Sequence, residues 1–283
     1  MMFHKKSVAF MLAACAVVAG AHAQSDAPLR SGVDPIAAPF AMTKLSGGLE
    51  GFSLDLLEAL GRELGRKVDV SAMQYSGLFP AMQAGNLDFV GAPVTATALR
   101  AQSMIFTEGY LNTDHQFISK ADGPTLDSLE SLRGKIISVN KGATYDAWAR
   151  EQASRTGWIV ESYGTTNDAI AAVLSGRSAA ALTNSTEVAW ASKKNPRLKP
   201  AYRHSTGDVF SLAFRKDSTA LRDEVEGALE CMKARGEVAA IYTKWFGSTA
   251  APTAAVNVVQ PGAGVPTLPG YSAQFTKRAC KKA

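Results

Sequence analysis

LLEALGRELGRKVDVSAMQYSGLFPAMQAGNLDFV, residues 56–90, decides the fold class. Leu56, Leu57, Leu60 and Leu64 recur at helical spacing, and Gly65 follows where a helix C-cap would stand. Val68 and Val70 then alternate as a strand. Phe79 and Met82, closed by Gly85, predict a second short helix, and Leu87-Asp88-Phe89-Val90 reads as the next strand. Short apolar strands alternating with amphipathic helices form an α/β pattern.

The same alternation extends outward. Thr97 reads as the N-cap of a helix carrying Arg100, and Met104-Ile105-Phe106 as a strand. Ala121-Asp122-Gly123-Pro124 is a turn-rich junction. A second series follows: strand 135–139, a helix from Thr144, strand 158–160, a helix capped by Thr166, strand 179–183 and a helix from Ser185. A strand over 208–214 and two helices complete it, one striped by Leu221, Val225, Leu229 and Met232, the other by Val238, Ile241 and Trp245. Nothing repeats at a fixed period, which excludes solenoids and propellers.

Lys5 and Lys6, an apolar run from Ser7 to Gly20 and the small-x-small site Ala21-His22-Ala23 predict a signal peptide over residues 1–23. The run is too short for a span of about 20 residues. The predicted product is secreted to the periplasm and begins at Gln24. Leu12-Ala13-Ala14-Cys15 resembles a lipoprotein box and leaves a lipid anchor at Cys15 as the alternative. The formal charge of +5 comes from the ends, because residues 24–250 carry 24 basic and 25 acidic side chains. A near-neutral body without basic patches interleaved with aromatics excludes a nucleic-acid surface. After the leader only Cys231 and Cys280 remain, and an even pair in an oxidising compartment predicts a disulfide pinning the Pro/Gly-rich tail.

A set of short motifs in fixed order carries a family resemblance. They are Gly51-Phe52 with Asp55, Tyr75 to Met82, Gly85-Asn86-Leu87-Asp88, Thr95-x-Thr97-x-x-Arg100, Phe106 with Gly109-Tyr110, Leu132-Arg133-Gly134-Lys135, Gly142-Ala143-Thr144 and Lys244-Trp245-Phe246-Gly247. From Leu29 to Gly247 the chain resembles the extracellular solute-binding proteins of family 3, which serve amino-acid-type ABC importers. The resemblance implies a two-lobed periplasmic-binding-protein (Venus-flytrap) fold with two crossing strands as hinge. The large lobe would be residues 28–109 and 211–250, the small lobe 115–205 and the tail 251–283, with crossings near 110–114 and 206–210.

The resemblance also implies a carboxylate site between the lobes. Arginine offers a planar fork that grips a carboxylate bidentately, which makes Arg100 its anchor. Thr95 adds a hydroxyl, and Ala143 and Thr144 open a helix whose N-terminus favours an anion. Phe40 and Tyr75 stand where family rings sandwich the ligand. Asp34 either contacts the ligand or orders its own turn. Asn140 and Lys141 would meet the ligand's distal end, unless Lys141 is simply solvated. At Asn184 many relatives have an aspartate facing the ligand's ammonium, and Pro93 replaces the usual Gly or Ser. A charged hydrogen bond is worth about 1.5–3 kcal/mol against about 1 for a neutral one, so the ammonium loses its best partner. The ligand is therefore either an amino acid held by Asp34 and carbonyls or an amine-free organic acid.

The implied function is the substrate-binding component of an ABC importer: a monomer that performs no chemistry, uses no cofactor or metal, and docks on an inner-membrane permease. Two alternatives stay open. One is a periplasmic enzyme on the same fold, similar to cyclohexadienyl dehydratases, for which Glu187 or Asp146 would have to face the cleft. The other is a ligand-binding partner of a membrane sensor or dehydrogenase.

Overall fold

The computed structural model describes residues 27–280, so the predicted leader and Cys15 lie outside the described residues. The chain opens with β1 (Leu29–Val33), followed by the short strands β2 (Ile36–Ala37), β3 (Ala41–Thr43) and β4 (Leu49–Glu50). Next come α1 (Phe52–Leu64), β5 (Val68–Ala72), α2 (Tyr75–Gln83), β6 (Phe89–Thr95), β7 (Met104–Phe106) and β8 (Leu111–Lys120). The second series is β9 (Ile136–Asn140), α3 (Thr144–Thr156), β10 (Ile159–Tyr163), α4 (Thr166–Ser175), β11 (Ala180–Asn184) and α5 (Ser185–Lys194). The chain returns through β12 (Leu198–Arg215) to α6 (Thr219–Ala234) and α7 (Glu237–Phe246).

One sheet runs β10-β9-β11-β8-β12-β6-β1-β5, and β7 also pairs with β12. At one end β1 lies parallel to β5 and β6, and at the other β9 lies parallel to β10 and β11. Parallel neighbours require crossover connections, and α1 to α4 supply them. The long antiparallel strands β8 and β12 join the two halves, with Thr113 opposite Asp208 and Leu111 opposite Phe210. Helices cover both faces of each half. Separate apolar clusters sit under α1, α6 and α7, under α2, under α3, and under α4 with α5.

Most predicted elements lie within a residue or two of their expected positions, with three differences. Arg100 begins a three-residue 3-10 turn instead of a helix, although the Thr97 hydroxyl does accept its N–H at 3.2 Å. The cap of α4 is Thr165, which accepts the Asp168 N–H at 3.0 Å, and not Thr166. β12 starts ten residues before the predicted strand.

The Cys231–Cys280 disulfide is formed. It ties the tail to α6, and buried polar groups hold the tail along its length. Lys233 pairs with Glu108 at 2.9 Å, both completely buried, and donates to the Gly109 carbonyl. Glu108 accepts the Gln260 N–H, and Glu226 accepts the N–H groups of Glu108 and Gly264. Arg222 donates to the carbonyls of Phe106 and Gly270. Burial, and then the neighbouring Glu108, push the Glu226 carboxyl up to about 8. Among the described residues, no helix is long and apolar enough to cross a membrane.

Candidate functional site

Between the two halves lies a cavity. Asp34, Tyr75, Pro93 and Thr95 line it from one side, and Asn140, Ala143, Thr144 and Asn184 from the other. All eight were singled out in the sequence. Their positions follow from the α/β design, because the ends of β1, β6, β9 and β11 and the start of α3 converge on one crevice.

The two lobes touch across this crevice. The Thr144 hydroxyl donates to that of Thr95 at 3.5 Å and lies 3.3 Å from His115 Nε2. Burial, then His204, depress the His115 imidazole to about 4, so it is neutral at pH 7. Arg100 sits at the rim and does not line the cavity. Its guanidinium donates to the Thr95 carbonyl at 3.0 Å and, across the cleft, to the Gly142 carbonyl at 3.1 Å. It also lies 5.9 Å from the Tyr75 ring centre and 5.2 Å from that of Phe79. Five N–H donors leave the fork capacity for a carboxylate beside these two carbonyls.

Phe40 and Lys141 do not reach the cavity. Phe40 is fully buried against Phe52, Phe210 and Phe246, with ring centres 5.5–6.2 Å apart. The turn between β2 and β3 directs it into the core, while the smaller Ala37 and Ala41 face the cavity. Lys141 is exposed, and its backbone N–H bonds the Tyr163 carbonyl.

Asp34 is buried and accepts the N–H groups of Ile36 and Tyr75 at 3.2 and 3.1 Å. Burial holds its carboxyl above the usual range, although both hydrogen bonds oppose the shift. The same side chain therefore orders its turn and faces the cavity. Burial also raises the Tyr75 hydroxyl, with the nearby Arg100 working against the shift.

Tyr145 and Thr166 line the cavity without having been expected there, and so does Glu187, which the sequence offered only for the enzyme alternative; Asp146, offered with it, does not line the cavity. Glu187 is 5% exposed. Its Oε2 accepts from the Thr183 hydroxyl, the Asn184 N–H at 3.3 Å and the Asn184 amide at 3.0 Å. The Asn184 Oδ1 in turn accepts from Thr113 at 3.1 Å. Burial raises the Glu187 carboxyl, Asp34 adds to the rise, and the hydrogen bonds oppose it. Asn140 donates to Thr166 at 3.4 Å, while its own Oδ1 is buried without a partner. Among the described residues, no group of three or more His, Cys, Asp or Glu could hold a metal ion.

The chain matches the profile of the bacterial extracellular solute-binding proteins, family 3, over residues 29–248. It is 27% identical over 232 residues to the L-arginine-binding protein of Pseudomonas aeruginosa, covering 78% of this chain and 89% of that one. An ancestral arginine-binding protein bound to arginine superposes with a TM-score of 0.74 at 32% identity, covering 78% of this chain and 98% of the other. An ancestral amino acid-binding protein, a precursor of cyclohexadienyl dehydratase, gives 0.71 at 29% identity, covering 77% and 95%. These relatives are binding proteins with the two-lobed fold, and with most of its length matched the chain belongs to the bacterial extracellular solute-binding proteins of family 3.

Proposed function

We propose that this protein is the periplasmic substrate-binding component of an ABC importer, and that its ligand is a basic amino acid of the arginine type. In this reading the leader is cleaved after Ala23 and the product works as a monomer. The observation that carries the proposal is the cavity itself, which exists only where the lobes meet and takes polar lining from both. A ligand bridging the two walls stabilises the closed form over the open one, and its differential affinity sets the population shift. The closed form then docks on a membrane permease.

Arg100 is proposed to anchor the carboxylate from the rim, with Thr95 and Thr144 beside it. Such an anchor does double duty, because the same guanidinium already links the lobes through the Gly142 carbonyl. Relatives that bind arginine support the basic amino acid, and the two acids in the cavity, Asp34 and Glu187, suit its positive charge.

Titration calorimetry of the mature protein with L-arginine, L-lysine, L-histidine and amine-free carboxylates tests the proposal. The basic amino acids should bind with the highest affinity. Arg100→Ala should weaken the best ligand by about 2–5 kcal/mol, as for a truncated buried charge pair. A loss under about threefold would remove Arg100 from the site, since tenfold corresponds to ~1.4 kcal/mol. Turnover of a prephenate-like cyclic acid would replace the binding role with an enzymatic one.

A further inference from the structure

We infer that Glu187 supplies the negative charge that Asn184 lacks, so that the ligand's α-ammonium is held by Glu187 and Asn140 and lobe closure depends on that cation. The inference rests on the amino-acid-binding reading and names the group that makes the cavity selective for an amine.

Three acceptors meet in this cavity without a cation. Asp34 enters from the large lobe and Glu187 from the small one. Among the described residues neither acid forms an ion pair. The Asn140 Oδ1, on a side chain 6% exposed, has no hydrogen-bond donor. A buried acceptor without a donor leaves its desolvation uncompensated, and a buried carboxylate without a cation costs more. A guest with several N–H donors and a positive charge satisfies all three, whereas a hydroxyl offers one donor and no charge.

Glu187 is also fixed in place. It stands in the first turn of α5, where the helix dipole favours an anion. Its Oε2 is clamped by the Thr183 hydroxyl and by the backbone and side chain of Asn184. The Asn184 amide therefore serves as a second support that orients Glu187. The carboxylate thus stands three residues past Asn184, in the first turn of α5. Closure brings this anion toward Asp34 on the opposing lobe, and like charges make that approach unfavourable until a cation lies between them. Burial raises both carboxyls above the ordinary range, as expected for acids awaiting a counter-charge.

The test compares L-arginine with L-argininic acid, which carries a hydroxyl in place of the α-ammonium, by calorimetry on the wild type, E187Q and N184D/E187Q. The wild type should prefer L-arginine by about tenfold or more, a comparison that needs no variant. E187Q should lose about tenfold or more for L-arginine and under about threefold for L-argininic acid. N184D/E187Q, which places a carboxylate at position 184 instead, should recover most of the loss. Unchanged L-arginine affinity in E187Q overturns the inference while leaving the binding function intact. Equal losses for both probes also overturn it, because they make Glu187 a structural residue. A wild type that binds neither these probes nor any other amino acid overturns the functional reading itself. Turnover of a cyclic acid that disappears in E187Q would make Glu187 a proton donor and overturn both.

Discussion

Under the tail, Glu108 and Glu226 are buried together with Lys233 and Arg222; in the cavity, Asp34 and Glu187 are buried with hydroxyls, amides and N–H groups but no cation. Both regions withdraw carboxylates from water, and both hold them above their ordinary range. The difference lies in where the compensating charge comes from. Beneath the tail Lys233 of the same chain pairs with Glu108, while Glu226 beside it is held by N–H groups, and the cluster acts as a structural clasp that joins α6, the end of β7 and residues 260–270. In the cavity the compensating charge must arrive from outside. A buried acid closed in by its own chain, as Glu108 is by Lys233, reads as architecture, whereas an unpaired one that lines a cavity reads as a site.

The sharpest way to break this comparison is to remove the internal cation. Lys233→Met leaves Glu108 buried and unpaired, which should cost about 3–5 kcal/mol of folding stability by urea denaturation. Removing a cavity acid should behave differently. Asp34→Asn and Glu187→Gln should leave ligand-free stability within about 1 kcal/mol of the wild type, because no internal pair is broken. If the cavity variants proved as damaging as Lys233→Met, the two regions would be alike and the cavity acids structural.

The tail gives the next largest effect. The Cys231–Cys280 bridge closes a loop with a sequence separation of 49. Reducing it should lower the unfolding free energy by about 3–4 kcal/mol on the chain-entropy account. The hydrogen bonds from Gln260 and Gly264 to the buried glutamates should still hold the tail in the folded state. Ligand affinity should not change on reduction, because the clasp does not line the cavity. A coupled loss of stability and affinity would show that the two regions communicate.

This contrast also explains what the sequence disclosed. Helices such as α1 were legible because a complete apolar stripe and a C-cap glycine coincide, and the motifs around Thr95, Gly142 and Asn184 carried the crevice with them. The early part of β12 was not legible, because Pro200, Gly207 and several polar residues imitate a loop. Pro200 is tolerated there because β8 is the only strand that β12 pairs with over that stretch, its other edge meeting no strand and taking only the Tyr202 N–H bond to the Leu126 carbonyl. Phe40 was misplaced because a ring beside a cleft and a ring in the adjacent core look identical in one dimension. Glu187 was named only for the enzyme alternative, and not as a ligand-binding residue, for a similar reason. An acid in the first turn of a helix ordinarily complements the dipole in solvent, and only the packing of α5 against the crevice turns this one inward.

The smallest effect separates the two regions by pH. Glu226 has a folded-state value of about 8 against an ordinary 4.5. Between those values the folded protein keeps a proton that the unfolded chain has released, so this contribution to stability is present at low pH and lost as pH rises toward 8. Asp34 and Glu187 are raised in the same direction and add to the same slope. His115, depressed from 6.5 to about 4, works the other way below pH 6.5, but the displacement of Glu226 is larger, so the ligand-free protein should melt at a lower temperature at pH 8 than at pH 5. Saturating L-arginine should flatten only the cavity's share, because a bound cation favours the ionised acids there. The share from Glu226 should persist with ligand and flatten in Glu226→Gln. If ligand abolished the whole slope, the charge cluster beneath the tail would be coupled to the cavity; if it changed none of it, the cavity acids would not be meeting a cation at all.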